Sequence, residues 1–276
     1  MRVAILGMGA IGHVVARALE GCAELVEVDR TKAPLRPGEP PVEAAVVATK
    51  TPGTEWAANV AAKIIAPDGV ALTVQNGLGN YEILADHVGH ERVTAGVIYV
   101  GAAMVDGRLR ATGPGKIELG RPESAAPRAW LEELASLLGA GGMDVTVVDD
   151  PWPSVWRKLV TNAAVNPLTA LMRKTNADLL ADPAAALVAD GLAREVARVA
   201  SAYGVTLAQD EAVEQWRSMA ALTGSNRSSM LQDVEAGRPT EVDAINGAVY
   251  RHGELRGVAA PLNQAMTLLV SSLAPG

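Results

Sequence analysis

The chain has 276 residues, 49% hydrophobic and 20% charged, which is enough for one large or two modest domains with packed cores. A net charge of −7 argues against a nucleic-acid partner, because binding phosphate backbones needs a basic surface. The single cysteine excludes a disulfide framework and a cysteine-based zinc site, and no apolar run approaches the roughly 18 residues of a membrane span. We therefore expect a cytoplasmic protein with no metal and no membrane contact.

Short apolar strands alternate with helical patterns over the first 150 residues, which predicts a parallel α/β sheet. Residues 31–41 contain four prolines and are predicted to form a loop. Residues 92–113 are predicted as strands with a hairpin around "VDGR", so the sheet should finish with mixed pairing. Further strands are predicted at 2–6, 24–30, 43–50, 69–77, 115–121 and 143–150, and helices at 13–20, 55–65, 80–89 and 129–142.

The pattern changes near residue 150. Beyond it, strand patterns vanish and helical spacing dominates, which predicts a domain boundary followed by a helical domain. The predicted helices are 154–173, 176–181, 183–203, 208–219, 240–253 and 261–273.

Gly7, Gly9 and Gly12 form G-x-G-x-x-G between the first strand and the first helix. Such glycines permit a tight turn, the approach of a pyrophosphate and close helix–strand packing. The helix N-terminus, including Ala10 and Ile11, offers free N–H groups to phosphates. A turn without a ligand is the alternative, but the position between strand and helix favours a dinucleotide site.

The end of the second strand should select the cofactor. An acid there would bind ribose hydroxyls and an arginine would suit the 2′-phosphate, and this chain has Asp29 followed by Arg30. Lys32 and Lys50 could add positive charge, and an ordinary solvated loop is the alternative for Arg30 and Lys32. The residues alone leave NAD and NADP both open.

Lys158, Asn162 and Asn166 are spaced four residues apart on an otherwise apolar helix, so they share one face. A solvated stripe is the simplest alternative. Asparagine, however, is a poor choice for an exposed helix interior, and Pro167 favours a kink that frees nearby backbone groups. A polar stripe facing a cofactor cleft fits better, and a partly desolvated lysine could donate a proton near neutral pH.

Residues 225–247 are rich in hydrogen-bonding side chains. Among them, Thr240 could N-cap a helix that carries Glu241 in its first turn. A favourable interaction with the helix dipole would explain Glu241 as well as a functional role would.

Together, "GMGAIG", "VVATK", "VQNG", "WRKLVTNAAVNPLTAL" and "SSMLQDVEAGRPTEVDAINGAVYRHG" resemble the ketopantoate reductase (2-dehydropantoate 2-reductase) family along nearly the whole chain. The resemblance implies a Rossmann-type α/β domain at 1–150, followed by an all-α substrate-binding domain at 151–276. It implies NADPH-dependent reduction of the 2-oxo group of ketopantoate to pantoate, for coenzyme A synthesis, in a cleft between the domains.

The resemblance also implies residue roles. Lys158 would be the general acid that protonates the carbonyl oxygen as hydride reaches carbon 2, and Glu241 would bond the reacting end of the substrate and orient the lysine. A growing alkoxide needs such a cationic donor. The substrate-binding side chains would be Asn162, Asn166, Asn226, Ser229, which would hold the carboxylate, and Asn176, a weaker match.

On the cofactor side, the resemblance implies that Asn76 lies near the nicotinamide and that Arg30 and Lys50 hold the 2′-phosphate. Two departures from the family pattern bear on this expectation. The segment before Lys50 lacks the family's additional strand, and Asp29 stands where the family usually avoids an acid, so NAD is not excluded. A paralogue acting on another 2-oxo acid or an imine, and a non-catalytic nucleotide-binding module, are the alternative functions. The oligomeric state is open, with a homodimer as one arrangement.

Overall fold

The computed structural model describes residues 1–31, 35–36, 38–122 and 128–273, so Lys32 and parts of the predicted loop 31–41 lie outside the described residues. Its internal contacts form two compact units. The first contains Met1–Gln75 and Gly79–Pro151, and the second contains Asn76–Leu78 and the chain from Trp152 onward. Each unit has a hydrophobic core of its own.

The first unit is an α/β fold, as predicted, and begins with a strand, the glycine loop and a helix. Its elements are β1 Arg2–Leu6, α1 Ala10–Leu19, β2 Glu24–Val28, β3 Val42–Val47, α2 Thr54–Ile64, β4 Ile65–Thr73, α3 Asn80–Val88, β5 Val93–Tyr99, β6 Ala102–Val105, β7 Arg108–Ala111, β8 Lys116–Gly120, α4 Arg128–Ala140 and β9 Asp144–Val148.

The main sheet has the strand order β2-β1-β3-β4-β5-β8-β9. Pairing is parallel from β2 to β5, antiparallel between β5 and β8, and parallel again between β8 and β9, which confirms the predicted mixed ending. The predicted hairpin is β6–β7. Asp106 and Gly107 both have positive φ, 50° and 72°, as the favoured two-residue hairpin turn requires.

Two strand ends differ from the prediction in ways that place candidate residues. The strand predicted at 24–30 ends at Val28, so Asp29 and Arg30 follow its carboxyl end. The strand predicted at 69–77 spans Ile65–Thr73, because Ile65 pairs with Val42 ahead of a bulge. The "QNG" motif therefore lies beyond the strand.

The described part of the second unit is helical, as predicted. Its helices are α5 Trp152–Met172, α6 Asn176–Ala181, α7 Pro183–Ala202, α8 Gln209–Leu222, α9 Ser229–Glu235, α10 Ala248–Arg256 and α11 Pro261–Ser271, with a π turn at Asp243–Gly247 directly before α10. Helix α9 was not predicted, because residues 225–247 were interpreted only as a segment rich in hydrogen-bonding side chains. Over the described ranges, every helix is too short or too polar to cross a membrane.

Helix α5 continues through Pro167 to Met172. A proline has no N–H to donate, so the carbonyl of Ala163, four residues earlier, loses its helical partner. Asn246 replaces it, with its Nδ2 3.0 Å from that oxygen. The predicted freeing of a backbone group is thus confirmed, and the freed group is bonded to another part of the same unit.

Candidate active site

Two glycines of the loop are required by the fold itself. Gly7 has φ +102°, and a Cβ there would lie 2.7 Å from the backbone nitrogen of Thr49. A Cβ on Gly12 would lie 2.0 Å from the carbonyl oxygen of Gly7. Both positions therefore exclude larger residues for internal steric reasons, which matches the turn and packing roles expected of the first and third glycines.

Gly9 is different. It precedes the first residue of α1, it provides no side-chain cap, and a Cβ built on it meets no described atom within 4 Å. The fold therefore gives no steric reason for glycine at this position. A ligand that approaches the backbone at the N-terminus of α1 would supply one, and the N–H groups of Ala10 and Ile11 there fit a pyrophosphate.

Arg30 lies against the loop that follows β3. Its Nη2 is 3.3 Å from the carbonyl oxygen of Pro52, and its guanidinium carbon is 5.8 Å from the centre of the Trp56 ring. Lys50, two residues before Pro52, is exposed like Arg30. One oxygen of Asp29 accepts bonds from the N–H and the hydroxyl of Thr31, at 2.7 and 2.5 Å. The two cations are therefore at one loop, and that carboxylate oxygen is bound to its own turn.

Gln75 was not predicted as a site residue. Its side-chain amide donates to the carbonyl oxygen of Thr49 at 2.9 Å and to the hydroxyl of Thr54 at 2.8 Å. It thus joins the end of β4 to the segment after β3 that packs on Gly7. The "VQNG" motif was a usable signal, but only its asparagine was assigned a role.

Lys158 is partly buried on α5, in the second unit. Burial lowers its pKa from 10.5 to about 8, and the negative charge of Glu241 opposes that shift. Asn162 is half-buried and Asn166 is buried, one and two turns further along. Within the described chain, neither side-chain amide hydrogen-bonds to another residue, so both remain available to a ligand.

Glu241 lies two residues before the first residue of the π turn, and the structure brings Asn76 to it. The Asn76 Nδ2 atom is 3.2 Å from Glu241 Oε2, although 165 residues separate the two in sequence. Gly77 has φ +83°, and a Cβ there would lie 2.2 Å from the carbonyl oxygen of Ala244. Asn76 therefore bonds the carboxylate that acts on Lys158, and it belongs to the same unit as both.

The expected N-cap at Thr240 was wrong. Its hydroxyl is 3.5 Å from the nitrogen of Val242, which is at the limit of a hydrogen bond, and Glu241 precedes the helix instead of lying in its first turn. The Glu241 carbonyl accepts from the N–H of Ile245 at 3.0 Å. Glu241 therefore precedes the helical residues, and it does not lie in the first turn that the dipole explanation assumed.

Ser229 is the exposed first residue of α9. Ser228 before it is buried and caps the helix, accepting from the N–H of Leu231 at 3.1 Å. The hydroxyl of Thr169 on α5 lies 2.7 Å from the same Ser228 oxygen. Ser228 and Thr169, to which no specific role was assigned from sequence, therefore fix Ser229 relative to α5.

Asn176 and Asn226 are joined through the backbone, since the Asn176 N–H donates to the Asn226 carbonyl at 3.1 Å. The Asn176 side-chain nitrogen donates to the Thr223 hydroxyl at 2.9 Å, so it is used within the protein. The Asn226 side chain is exposed. No hydrogen bond among the described residues connects this pair directly to Lys158 or Glu241.

The two units carry complementary chemistry. The first has a glycine loop at a helix N-terminus and two exposed cations, a set suited to the phosphates of a dinucleotide. The second has a lysine whose pKa is lowered to about 8, a carboxylate, and two amides that form no side-chain hydrogen bond among the described residues. Such a set can bind a polar substrate and deliver a proton to an oxygen on which negative charge develops.

Two family models match the chain. Residues 24–124 match the model described as ketopantoate reductase PanE/ApbA, and residues 151–274 match the one described as ketopantoate reductase PanE/ApbA C terminal. The 2-dehydropantoate 2-reductase of Halobacterium salinarum is 33% identical over 300 residues, covering 98% of this chain and 98% of the relative.

Solved structures show the same likeness. The 2-dehydropantoate 2-reductase of Geobacter metallireducens GS-15 is 27% identical with a TM-score of 0.88, covering 99% of each chain. The ternary structure of D-mandelate dehydrogenase with NADH and anilino(oxo)acetate is 25% identical with a TM-score of 0.89, covering 99% of this chain and 98% of that one.

Proposed function

The chain belongs to the ketopantoate reductase family, and from that premise we propose that it reduces the 2-oxo group of ketopantoate to pantoate with NADPH, in the route to coenzyme A. Family membership makes it an oxidoreductase that uses a nicotinamide dinucleotide. The observation that most supports the specific reaction is the pairing of a partly buried Lys158, whose pKa is lowered to about 8, with Glu241.

In the proposed mechanism, the bound nicotinamide supplies a hydride to carbon 2 of the substrate. Lys158 donates a proton to the carbonyl oxygen as negative charge develops there. Glu241 keeps a negative charge beside the lysine, which favours its protonated form. Asn162 and Asn166 bind the polar groups of the substrate, and Ser229 binds its carboxylate, with Asn226 and Asn176 as further contacts.

The proposed cofactor site consists of Gly7, Gly9, Ala10, Ile11 and Gly12 for the pyrophosphate. Asn76 is proposed to lie near the nicotinamide. Arg30 and Lys50 are proposed to hold the 2′-phosphate, which favours NADPH over NADH. The bonds from Thr31 to Asp29 support this preference, because an oxygen engaged in its own turn is less available to ribose hydroxyls.

A second candidate is the reduction of a different 2-oxo acid. It is favoured by the likeness to D-mandelate dehydrogenase, whose ternary structure contains NADH and anilino(oxo)acetate. A substrate panel separates the two candidates, because ketopantoate should give the highest kcat/KM under the leading proposal. A clear preference for an aromatic 2-oxo acid with NADH would favour the second.

The decisive experiment is a steady-state assay of ketopantoate with NADPH and with NADH. We expect ketopantoate-dependent loss of NADPH absorbance, with the Lys158→Met variant slower by roughly 10²–10⁴-fold. Lys174→Met is a matched control, since Lys174 lies in the same unit but is ion-paired with Asp182. Cofactor binding without turnover of any oxo acid would instead indicate a non-catalytic nucleotide-binding module.

A homodimer and a cytoplasmic location complete the proposal. The second unit exposes large leucines, including Leu222 and Leu255 at 81% and 77%, which a second copy of the chain could cover. The lone Cys22 is free, so the fold does not depend on an oxidising compartment. Light scattering of the purified protein would distinguish a dimer from a monomer.

A further inference from the structure

The π turn Asp243–Gly247 connects parts of the second unit that are distant in sequence. Such turns add one residue to a helix and are frequent at functional sites. The carbonyl of Ala244 accepts from the N–H of Leu78 at 3.0 Å. Leu78 lies two residues beyond Asn76, which bonds Glu241. The bond between Ala244 and Leu78 thus fixes the segment that contains Asn76, which is the hydrogen-bond partner of Glu241.

The other contact of the turn is made by Asn246, whose side chain is completely buried. Its Nδ2 atom donates to the carbonyl of Ala163, the group that Pro167 leaves without a helical partner. Ala163 lies between Asn162 and Asn166 on α5. The amide therefore attaches the turn that follows Glu241 to the helix that carries Lys158.

A buried network fixes the orientation of this amide. The Asn263 Nδ2 atom is 2.8 Å from the carboxylate of Glu195, so Asn263 presents its oxygen to Asn246, 2.9 Å away. Both contacts of Asn246 are then acceptors, and only its NH₂ group can satisfy them. Glu195 also accepts from the backbone N–H groups of Leu262 and Asn263, at 3.0 Å each, which ties the network to the start of α11.

We propose that Asn246 is a positioning residue of the reductase, which fixes the Glu241 turn against the gap left by Pro167 in α5 and so keeps Glu241 beside Lys158. Asn246 and Pro167 then act together. A residue other than proline at position 167 would donate its own N–H to the carbonyl of Ala163, which is the group that Asn246 bonds. This inference rests on the proposed function for its kinetic consequences, whereas the bonds themselves do not depend on it.

The first test replaces Asn246 with leucine, which has a similar volume but no donor. We expect kcat to fall by roughly 10- to 100-fold, because small displacements of catalytic groups are costly. The Kd for NADPH should stay unchanged. The limb on which kcat falls as pH rises, set near pH 8 by Lys158 in the wild type, should move to lower pH as the charge of Glu241 becomes more distant.

The second test replaces Pro167 with alanine, which returns an N–H to the carbonyl of Ala163. This variant should fold at least as stably as the wild type yet show the same direction of change in kcat and in the pH limb. Adding Asn246→Leu to it should change kcat little further. If Asn246→Leu alone does not fold, the same question is answered by comparing kcat of the double variant with kcat of Pro167→Ala. An equal fold-loss from Asn246→Leu in both backgrounds would contradict the attachment to Ala163.

Trp216→Phe is the control for simple destabilisation. It removes a buried bond of the same unit, from Trp216 Nε1 to Asp190 at 3.0 Å, that lies outside the proposed site. If Asn246→Leu lowers Tm as this control does but leaves kcat and its pH profile at wild-type values, Asn246 is only structural and the proposal is wrong.

A titration that does not need turnover separates this inference from the proposed function. The Lys158 ammonium can be followed by NMR in protein with labelled lysine and assigned with Lys158→Arg. If the wild type reduces no 2-oxo acid, the proposed function fails, but a lower Lys158 pKa in Asn246→Leu still supports the positioning role. An unchanged Lys158 pKa would overturn it.

Discussion

At the residue scale, Lys158 shows how a lysine proposed as a proton donor can reduce the stability of the fold. Its folded-state pKa of about 8 is below the ordinary value of 10.5, because burial disfavours the charged form. The unfolded chain therefore binds more protons than the folded chain between these two pH values. Stability is reduced at and below pH 8 and recovers as pH rises toward the unfolded pKa. The same burial makes the lysine able to donate near neutral pH.

We therefore predict that Lys158→Met unfolds with a higher free energy than the wild type at pH about 7, by roughly 2–3 kcal/mol, although its turnover is roughly 10²–10⁴-fold slower. The difference should shrink as pH approaches about 10. Urea unfolding across this range measures it. Lys174→Met should differ little from the wild type at any of these pH values, since its lysine is at the surface. A less stable Lys158→Met at neutral pH would contradict the argument.

At the element scale, the start of α1 separates glycines that the fold needs from one that a ligand would need. Gly12 packs on the carbonyl of Gly7, whereas a Cβ built on Gly9 would meet no described atom within 4 Å. The three positions look identical in the sequence motif. Their surroundings give a steric reason for glycine at the first and third positions and none at the second, which we propose for cofactor binding.

These surroundings predict opposite behaviour for two alanine variants. Gly12→Ala should lose about 1–3 kcal/mol of stability or more, because its Cβ would overlap a carbonyl oxygen. Gly9→Ala should unfold within about 0.5 kcal/mol of the wild type but bind NADPH at least about tenfold more weakly. Thermal unfolding and fluorescence titration measure the two effects. Tight NADPH binding by Gly9→Ala would exclude close approach of the cofactor at this position.

At the scale of the whole molecule, the residues proposed for cofactor binding and those proposed for proton transfer belong to different units. The glycine loop, Arg30 and Lys50 belong to the first, and Lys158 and Glu241 belong to the second. Each unit is stabilised by its own core. Cofactor affinity and substrate affinity should therefore respond to different sets of substitutions.

We predict that NADPH at 100 times its Kd stabilises the wild type by about 2.7 kcal/mol. At that same concentration, Arg30→Ala should show a smaller rise in Tm, while Asn166→Ala should keep the wild-type rise but have a higher KM for the oxo acid. With NADH in place of NADPH, Arg30→Ala and the wild type should show similar rises. An Arg30→Ala variant stabilised fully by NADPH would remove Arg30 from the 2′-phosphate site.

The features of the fold that were predicted correctly are those that depend on residues close together in the sequence. Strand and helix periods gave the α/β and all-α classes, and the four-residue spacing gave the shared face of Lys158 and Asn162. The missed parts depend on long-range hydrogen bonds. Gln75 bonds Thr49 and Thr54, and Asn246 bonds the carbonyl that Pro167 frees, and neither contact leaves a periodic signal.

The membership of Asn76–Leu78 in the second unit has a consequence for dissection and biosynthesis. A fragment that begins at Trp152 lacks these three residues, so it leaves the carbonyl of Ala244 without its bond to Leu78. During synthesis, Asn76 leaves the ribosome 165 residues ahead of Glu241, the group it bonds. The helical unit therefore cannot be completed from contiguous sequence, and its last contacts form only when the chain is nearly finished.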